Sequence, residues 1–211
     1  MPTSARTRVV ALISGRGTNL QALLDAAAGD FPAEIVGIIS NREDAAGLER
    51  GRAAGVAVDV VSHRDFESRE AFDQALLERI EAFRPDLLVL AGFMRILTDE
   101  FVQYFEGRML NIHPSLLPAF PGLDTHRRAL DAGVPEHGAT VHFVTPTLDA
   151  GPIIIQARVP VELDDDEHIL AARVLREEHR IYPLAVHWFA QGRLRLRGDT
   201  VLLDGEPLRS V

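Results

Sequence analysis

The first half of the chain alternates between two hydrophobic patterns. Residues 9–13, 35–39, 56–61, 87–90 and 109–112 are short, nearly continuous apolar runs. Between them, residues 19–28, 44–54, 66–83 and 100–104 repeat apolar positions at helical spacing, with Asp44 placed to cap the second and Pro85 stopping the third. Continuous apolar strands alternating with amphipathic helices predict a parallel sheet covered on both faces, a doubly wound α/β fold. In such sheets ligands bind beyond the carboxyl ends of the strands. The segments at those ends are 14–19, 92–97 and 111–114.

The second half reads differently. Pro118, Pro121 and Gly122 make residues 116–122 a loop. Residues 139–144 and 153–161 read as strand partners joined by a loop, 145–152. A long helix follows over 164–189, then a hairpin in which 193–197 and 201–203 flank Gly198-Asp199. The acidic run 164–167 suits a helix start electrostatically, better than a divalent metal site. No repeat or linker interrupts the pattern. The reading is therefore one domain over residues 1–211.

Composition narrows the chemistry. Cysteine is absent, which excludes disulfides, thiolate metal sites, iron–sulfur clusters and a cysteine nucleophile. Lysine is absent too; all 22 Lys+Arg residues are arginine, so no Schiff base or P-loop lysine is available. A net charge of −9 disfavours nucleic acid and anionic membranes as partners. No apolar run has the length of a membrane span. Residues 1–8 carry arginines but lead into no signal core, so the expected compartment is the cytoplasm.

Three short segments can carry reactions. Ser14-Gly15-Arg16-Gly17-Thr18-Asn19 joins a strand to a helix, where glycines admit a ligand and the first N–H groups can hold a phosphate. Leu20 occupies the place of the third fingerprint glycine, which favours a mononucleotide or sugar phosphate over NAD, with a ligand-free tight turn as the alternative. In Asn111-Ile112-His113-Pro114, strand alternation puts Asn111 and His113 on one side. An amide donor beside an imidazole suits a carbonyl that becomes an oxyanion, although both could instead bond to backbone. Asp149, in a polar loop, would raise the imidazole pKa if it met His113. His113, His142 and Asp149 could also be metal ligands, but no paired spacing supports that, and no metal is expected. There is no GxSxG elbow, and Ser115 lacks the context of a nucleophile.

Read together, five segments resemble the glycinamide ribonucleotide transformylase family, folate-dependent formyltransferases of purine synthesis. They are residues 12–20, 90–97, 110–118, 141–149 (through Val141-His142-Phe143-Val144 and Leu148-Asp149) and 178–183 (Glu178-His179 before Ile181-Tyr182-Pro183). The resemblance implies the formyltransferase fold. It implies attack by the amine of 5′-phosphoribosylglycinamide on the formyl carbon of the co-substrate 10-formyltetrahydrofolate. His113 would be the general acid, Asp149 would hold and charge it, and Asn111 would donate to the oxyanion. Gly17, Thr18 and Asn19 would grip the phosphate and Glu178 the ribose. Arg69, Met94, Arg95, Ile96, Leu97, Asn111, Thr145, Leu148 and Asp149 would line the folate pocket. Partners would be small molecules only, with the chain a monomer or homodimer. Both ligands are anionic, so positive potential should be local, near Gly17, Arg69 and Arg95.

The chain departs from the family pattern at Ala150, where a glycine is expected before Gly151, at Pro146 in place of an acidic residue, and at Ala119 in place of a lysine. A formyltetrahydrofolate deformylase, a methionyl-tRNA formyltransferase and a non-catalytic nucleotide-binding protein are the competing readings.

Overall fold

A computed structural model describes residues 6–208, so residues 1–5 of the segment searched for a signal core and the terminal 209–211 lie outside the described residues. The elements in chain order are β1 (Thr7–Ile13), α1 (Thr18–Ala27), β2 (Ala33–Ser40), α2 (Gly47–Ala53), β3 (Val58–Val60), α3 (Arg69–Glu81), β4 (Leu87–Leu90), α4 (Asp99–Tyr104) and β5 (Met109–His113). They continue with α5 (Thr125–Asp131), β6 (Glu136–Phe143), β7 (Ile153–Pro160), α6 (Glu167–Ala190), β8 (Leu194–Arg197), β9 (Thr200–Leu203) and β10 (Glu206–Pro207).

The main sheet has seven strands in the order β3-β2-β1-β4-β5-β6-β7. Pairings from β3 through β5 are parallel, whereas β6 and β7 are antiparallel. Alternate residues of β1 go to opposite faces. Val9, Ala11 and Ile13 join one apolar core with α1 and α6, while Val10 and Leu12 join a second with α3 and α4. Burial on both faces explains why these strands are continuous apolar runs. The chain order reverses between β1 and β4, and the crevice beyond their carboxyl ends is the switch point where doubly wound sheets bind ligands. Tyr182 of α6 is fully buried, and its hydroxyl lies 2.8 Å from the Leu90 carbonyl and 3.1 Å from that of Leu110, tying α6 to the sheet beneath this crevice.

Element boundaries differ from expectation where distant contacts compete. Helix α2 begins at Gly47, and Asp44 does not cap it; Asp44 pairs with Arg42 at 2.8 Å. The Gly47 N–H, which a cap would have satisfied, donates instead to the Gly15 carbonyl at 2.9 Å. Helix α3 begins at Arg69, later than its apolar pattern, because the Ser68 hydroxyl accepts from the Ala71 N–H at 3.1 Å. The pattern did not reveal α5, whose buried positions are only Thr125 and Ala129. The acidic run before α6 divides its work: Asp166 caps the helix by accepting from the Ile169 N–H at 2.8 Å, and Asp165 binds Arg173 at 2.8 Å.

Candidate active site

The glycine-rich turn is braced from behind. Gly17 is left-handed at φ 69°, and a Cβ there would lie 2.6 Å from the Gly47 Cα, so side chains are excluded on both counts. Besides the Gly47 bond, Arg50 Nε donates to the Arg16 carbonyl at 2.8 Å. The turn thereby presents the start of α1, with its unsatisfied N–H groups, to a cavity of about 480 Å³. Thr18, Asn19, Met94 and Arg95 line this cavity, as do Arg16 and Arg42. The arginines along the cavity are Arg16, Arg95 and Arg42, the last paired with Asp44, whereas Arg69 lies exposed at the start of α3. Asn19 Nδ2 donates to Glu178 Oε2 at 2.6 Å. Burial pushes the Glu178 carboxyl above its ordinary pKa, and the Asn19 bond opposes that shift.

The second cluster sits at the end of β5. Leu110 and Ile112 enter the larger core, so Asn111 and His113 face the other side of the sheet. His113 Nε2 lies 3.0 Å from the Phe120 carbonyl, an obligate acceptor, and therefore carries a proton. Its Nδ1 lies 3.6 Å from Asp149 Oδ2, and both side chains are only 7% exposed. Asp149 Oδ2 also accepts from the Gly122 N–H at 2.8 Å, which fixes the carboxylate. The ring thus has an acceptor on each side, the Phe120 carbonyl at Nε2 and the Asp149 carboxylate near Nδ1.

His142, opposite Asn111 on β6, completes the cluster. Its Nδ1 donates to the Phe143 carbonyl at 2.9 Å, leaving Nε2 to accept from Asn111 Nδ2 at 3.2 Å. Burial lowers the His142 pKa against opposing pulls from the Phe143 carbonyl and the Asp149 charge, the direction this acceptor role needs. One Asn111 N–H remains for a ligand oxygen.

The structure therefore brings Asn111, His113 and Asp149 together, with His142, read from the sequence only as an alternative metal ligand, as a fourth member. The chain loop over them is held by Thr140, whose Oγ1 donates to the Ser115 carbonyl at 2.6 Å and accepts from the Leu117 N–H at 3.1 Å. Of the expected folate-pocket residues, Met94, Ile96 and Leu148 are exposed, Thr145 is half-buried, and Leu97 turns into the second apolar core. Asn41 and His63, at the ends of β2 and β3, line the cavity but were missed. Their positions immediately beyond apolar runs were the available signal. No group of His, Asp or Glu able to hold a metal occurs among the described residues.

Beneath the loop, His137 is buried beside His126 and Phe120. Burial, followed by the charges of His126 and His113, lowers its pKa from 6.5 to about 4. Between those values the unfolded chain binds the extra proton, so folding stability should fall as pH drops from 6.5 towards 4. His137→Leu is expected to flatten that part of a Tm-against-pH curve; an unchanged slope would refute it.

The formyl transferase family model matches residues 7–186. The chain is 52% identical over 201 residues to phosphoribosylglycinamide formyltransferase of Escherichia coli, covering 95% of each. It is 46% identical to the Haemophilus influenzae enzyme of the same name over 202 residues, again covering 95% of each. Among solved structures, the phosphoribosylglycinamide formyltransferase of Coxiella burnetii superposes with a TM-score of 0.94 at 49% identity, covering 97% of this chain and 96% of that one. Glycinamide ribonucleotide transformylase 1 of Symbiobacterium toebii gives 0.92 at 50% identity, covering 95% of both.

Proposed function

The chain belongs to the formyl transferase family, and from that premise we propose how its residues move a formyl group from 10-formyltetrahydrofolate to the amine of 5′-phosphoribosylglycinamide, in purine synthesis. The observation that carries the proposal is the convergence of Asn111, His113 and Asp149 in one half-buried cluster at the end of β5, next to β4 of the switch point.

The neutral amine attacks the formyl carbon, and the carbonyl electron pair moves to oxygen. The remaining Asn111 N–H and the His113 imidazolium stabilise that oxyanion, with Asp149 balancing the imidazolium charge. Collapse re-forms the carbonyl and breaks the carbon–nitrogen bond to the folate. The electron pair goes to the folate nitrogen, which takes the Nδ1 proton of His113, and the attacking nitrogen gives its extra proton to the neutral ring, restoring the imidazolium. Gly17, Thr18 and Asn19 hold the phosphate at the start of α1, and Glu178 accepts from ribose hydroxyls. Met94, Arg95, Ile96 and Leu97 with Arg69, Thr145 and Leu148 shape the folate side. No covalent enzyme intermediate is needed, which suits a chain without cysteine or lysine.

The proposal includes a single formyltransferase domain, no metal, and a cytoplasmic enzyme of small molecules, as a monomer or homodimer. Among the described residues no helix is long and apolar enough to cross a membrane. Purified protein with formyl-folate is expected to release tetrahydrofolate only when the ribonucleotide is added, with or without a chelator. Release without the ribonucleotide would make it a deformylase, and no release at all a binding protein. Loss of activity with chelator, restored by one divalent ion, would refute the metal-free mechanism.

A further inference from the structure

The loop between β4 and α4 holds two apolar side chains out of the protein: Met94 is 66% exposed and Ile96 59%. Left to itself such a loop gains by folding these side chains inward. Its conformation therefore needs anchors, and buried polar groups supply one at each end.

At the start of the loop, the Ser14 N–H donates to the Gly92 carbonyl at 3.0 Å, and the Met94 N–H donates to Ser14 Oγ at 2.7 Å. The Ser14 hydroxyl gives its single proton to Asn41 Oδ1 at 2.6 Å. Ser14 and Asn41 are 5% and 3% exposed, so water does not compete for these bonds. The chain of bonds has a direction. Because Asn41 Oδ1 takes the hydroxyl proton, the Ser14 lone pairs are left for the Met94 N–H. His63, just after β3, places Nδ1 3.1 Å from the Asn41 carbonyl and 3.3 Å from Asn41 Nδ2, so it bonds one or the other according to its tautomer. At the far end, Asp73 of α3 is buried, and its Oδ2 accepts from the Thr98 N–H at 2.6 Å. Arg95 lies over the Phe72 ring at 5.3 Å, between the two anchors.

We propose that Ser14, Asn41 and Asp73 are positioning residues: they hold the 92–97 loop in the form that receives the flat ring system of the formyl-folate, and so set affinity for that substrate. The inference rests on the folate reading of this loop. Preorganisation is the physical gain, because a loop already fixed loses little entropy on binding. The glycine-rich turn next to Ser14 has separate supports in Gly47 and Arg50, so ribonucleotide binding should be less affected.

Steady-state kinetics and amide hydrogen exchange test this together. Ser14→Ala and Asn41→Ala should each raise KM for 10-formyltetrahydrofolate about tenfold, the scale of one lost hydrogen bond. kcat and KM for the ribonucleotide should move less than about threefold. Asn41→Asp keeps Oδ1 as the acceptor for the Ser14 hydroxyl, so exchange in the segment 92–98 should stay closer to wild type than in Asn41→Ala. The double variant should be scarcely worse than either single one, because both break one chain of bonds. Asp73→Ala, which removes the anchor on another element, should raise the same KM. Exchange in the segment 92–98 should quicken in every variant that raises it. Unchanged folate KM, equal rises in both KM values, or unchanged exchange would overturn the inference. A wild-type chain inactive in formyl transfer would instead overturn the reaction, while faster exchange in Ser14→Ala would still establish the anchoring.

Discussion

Replacing His113 with alanine should lower kcat by about 10²–10⁴ fold, the usual worth of a positioned acid–base group. The argument is geometric. Nε2 is committed to the Phe120 carbonyl, which fixes the ring, while Nδ1 faces the buried carboxylate of Asp149. Alanine removes both the proton source and the positive charge beside the oxyanion. Asp149→Asn should cost a similar factor by another route. The Gly122 N–H can still reach an amide oxygen, but the amide NH₂ would face His113 and favour the neutral ring over the imidazolium. KM for the ribonucleotide should move little, since neither group grips the phosphate or ribose. Because the two act as a unit, the double variant should be little worse than the more damaged single one. Steady-state assays with a Tm measurement on each variant check this. Near wild-type turnover in either folded single variant would sink the mechanism.

Much of this site was legible in one sequence because the sheet writes itself plainly. A strand buried on both faces must be apolar throughout, so Asn111 and His113 stood out as polar interruptions at the end of β5, two residues apart and hence on one side. The Gly17 turn was legible for a similar local reason. What was hidden depended on contacts between distant segments. Asp44 looked like a cap until Gly15 proved to hold the Gly47 N–H. Asp73 reads as a surface position of a polar helix, yet it is buried to hold Thr98. His142 was visible as a residue, but its task follows from the antiparallel register that sets it opposite Asn111. Asn41 carries no motif; only the closure of β2 against β1 brings it to Ser14.

The largest structural effect should come from Gly151→Ala, a single methyl beside the catalytic loop. A Cβ on Gly151 would lie 1.7 Å from the Phe143 carbonyl oxygen and 3.3 Å from His142 Nδ1. That same oxygen accepts from His142 Nδ1, and the Phe143 N–H donates to the Pro152 carbonyl at 3.0 Å. Backbone must therefore move, and the bonds that join the end of β6 to the start of β7 must stretch or break. Overpacking of this kind costs about 1–3 kcal/mol, so Tm should drop by several degrees. Activity should suffer more than stability. Asp149 sits two residues away, at φ 51°, a left-handed conformation that a non-glycine residue keeps only when its surroundings impose it. A shift of about 1 Å there would separate its carboxylate from His113 and release His142 from Asn111, costing about 10² in kcat. Ala150 supplies the contrast. It is exposed, and its φ is not among the positive values in the chain. The first of the two glycines expected after Asp149 is thus dispensable, and Ala150→Gly should leave kcat and Tm close to wild type. The second is held to glycine by the Phe143 oxygen. Steady-state kinetics and thermal melts on both variants check this pair, and a Gly151→Ala protein with wild-type kcat and Tm would show that the β6–β7 corner does not position Asp149.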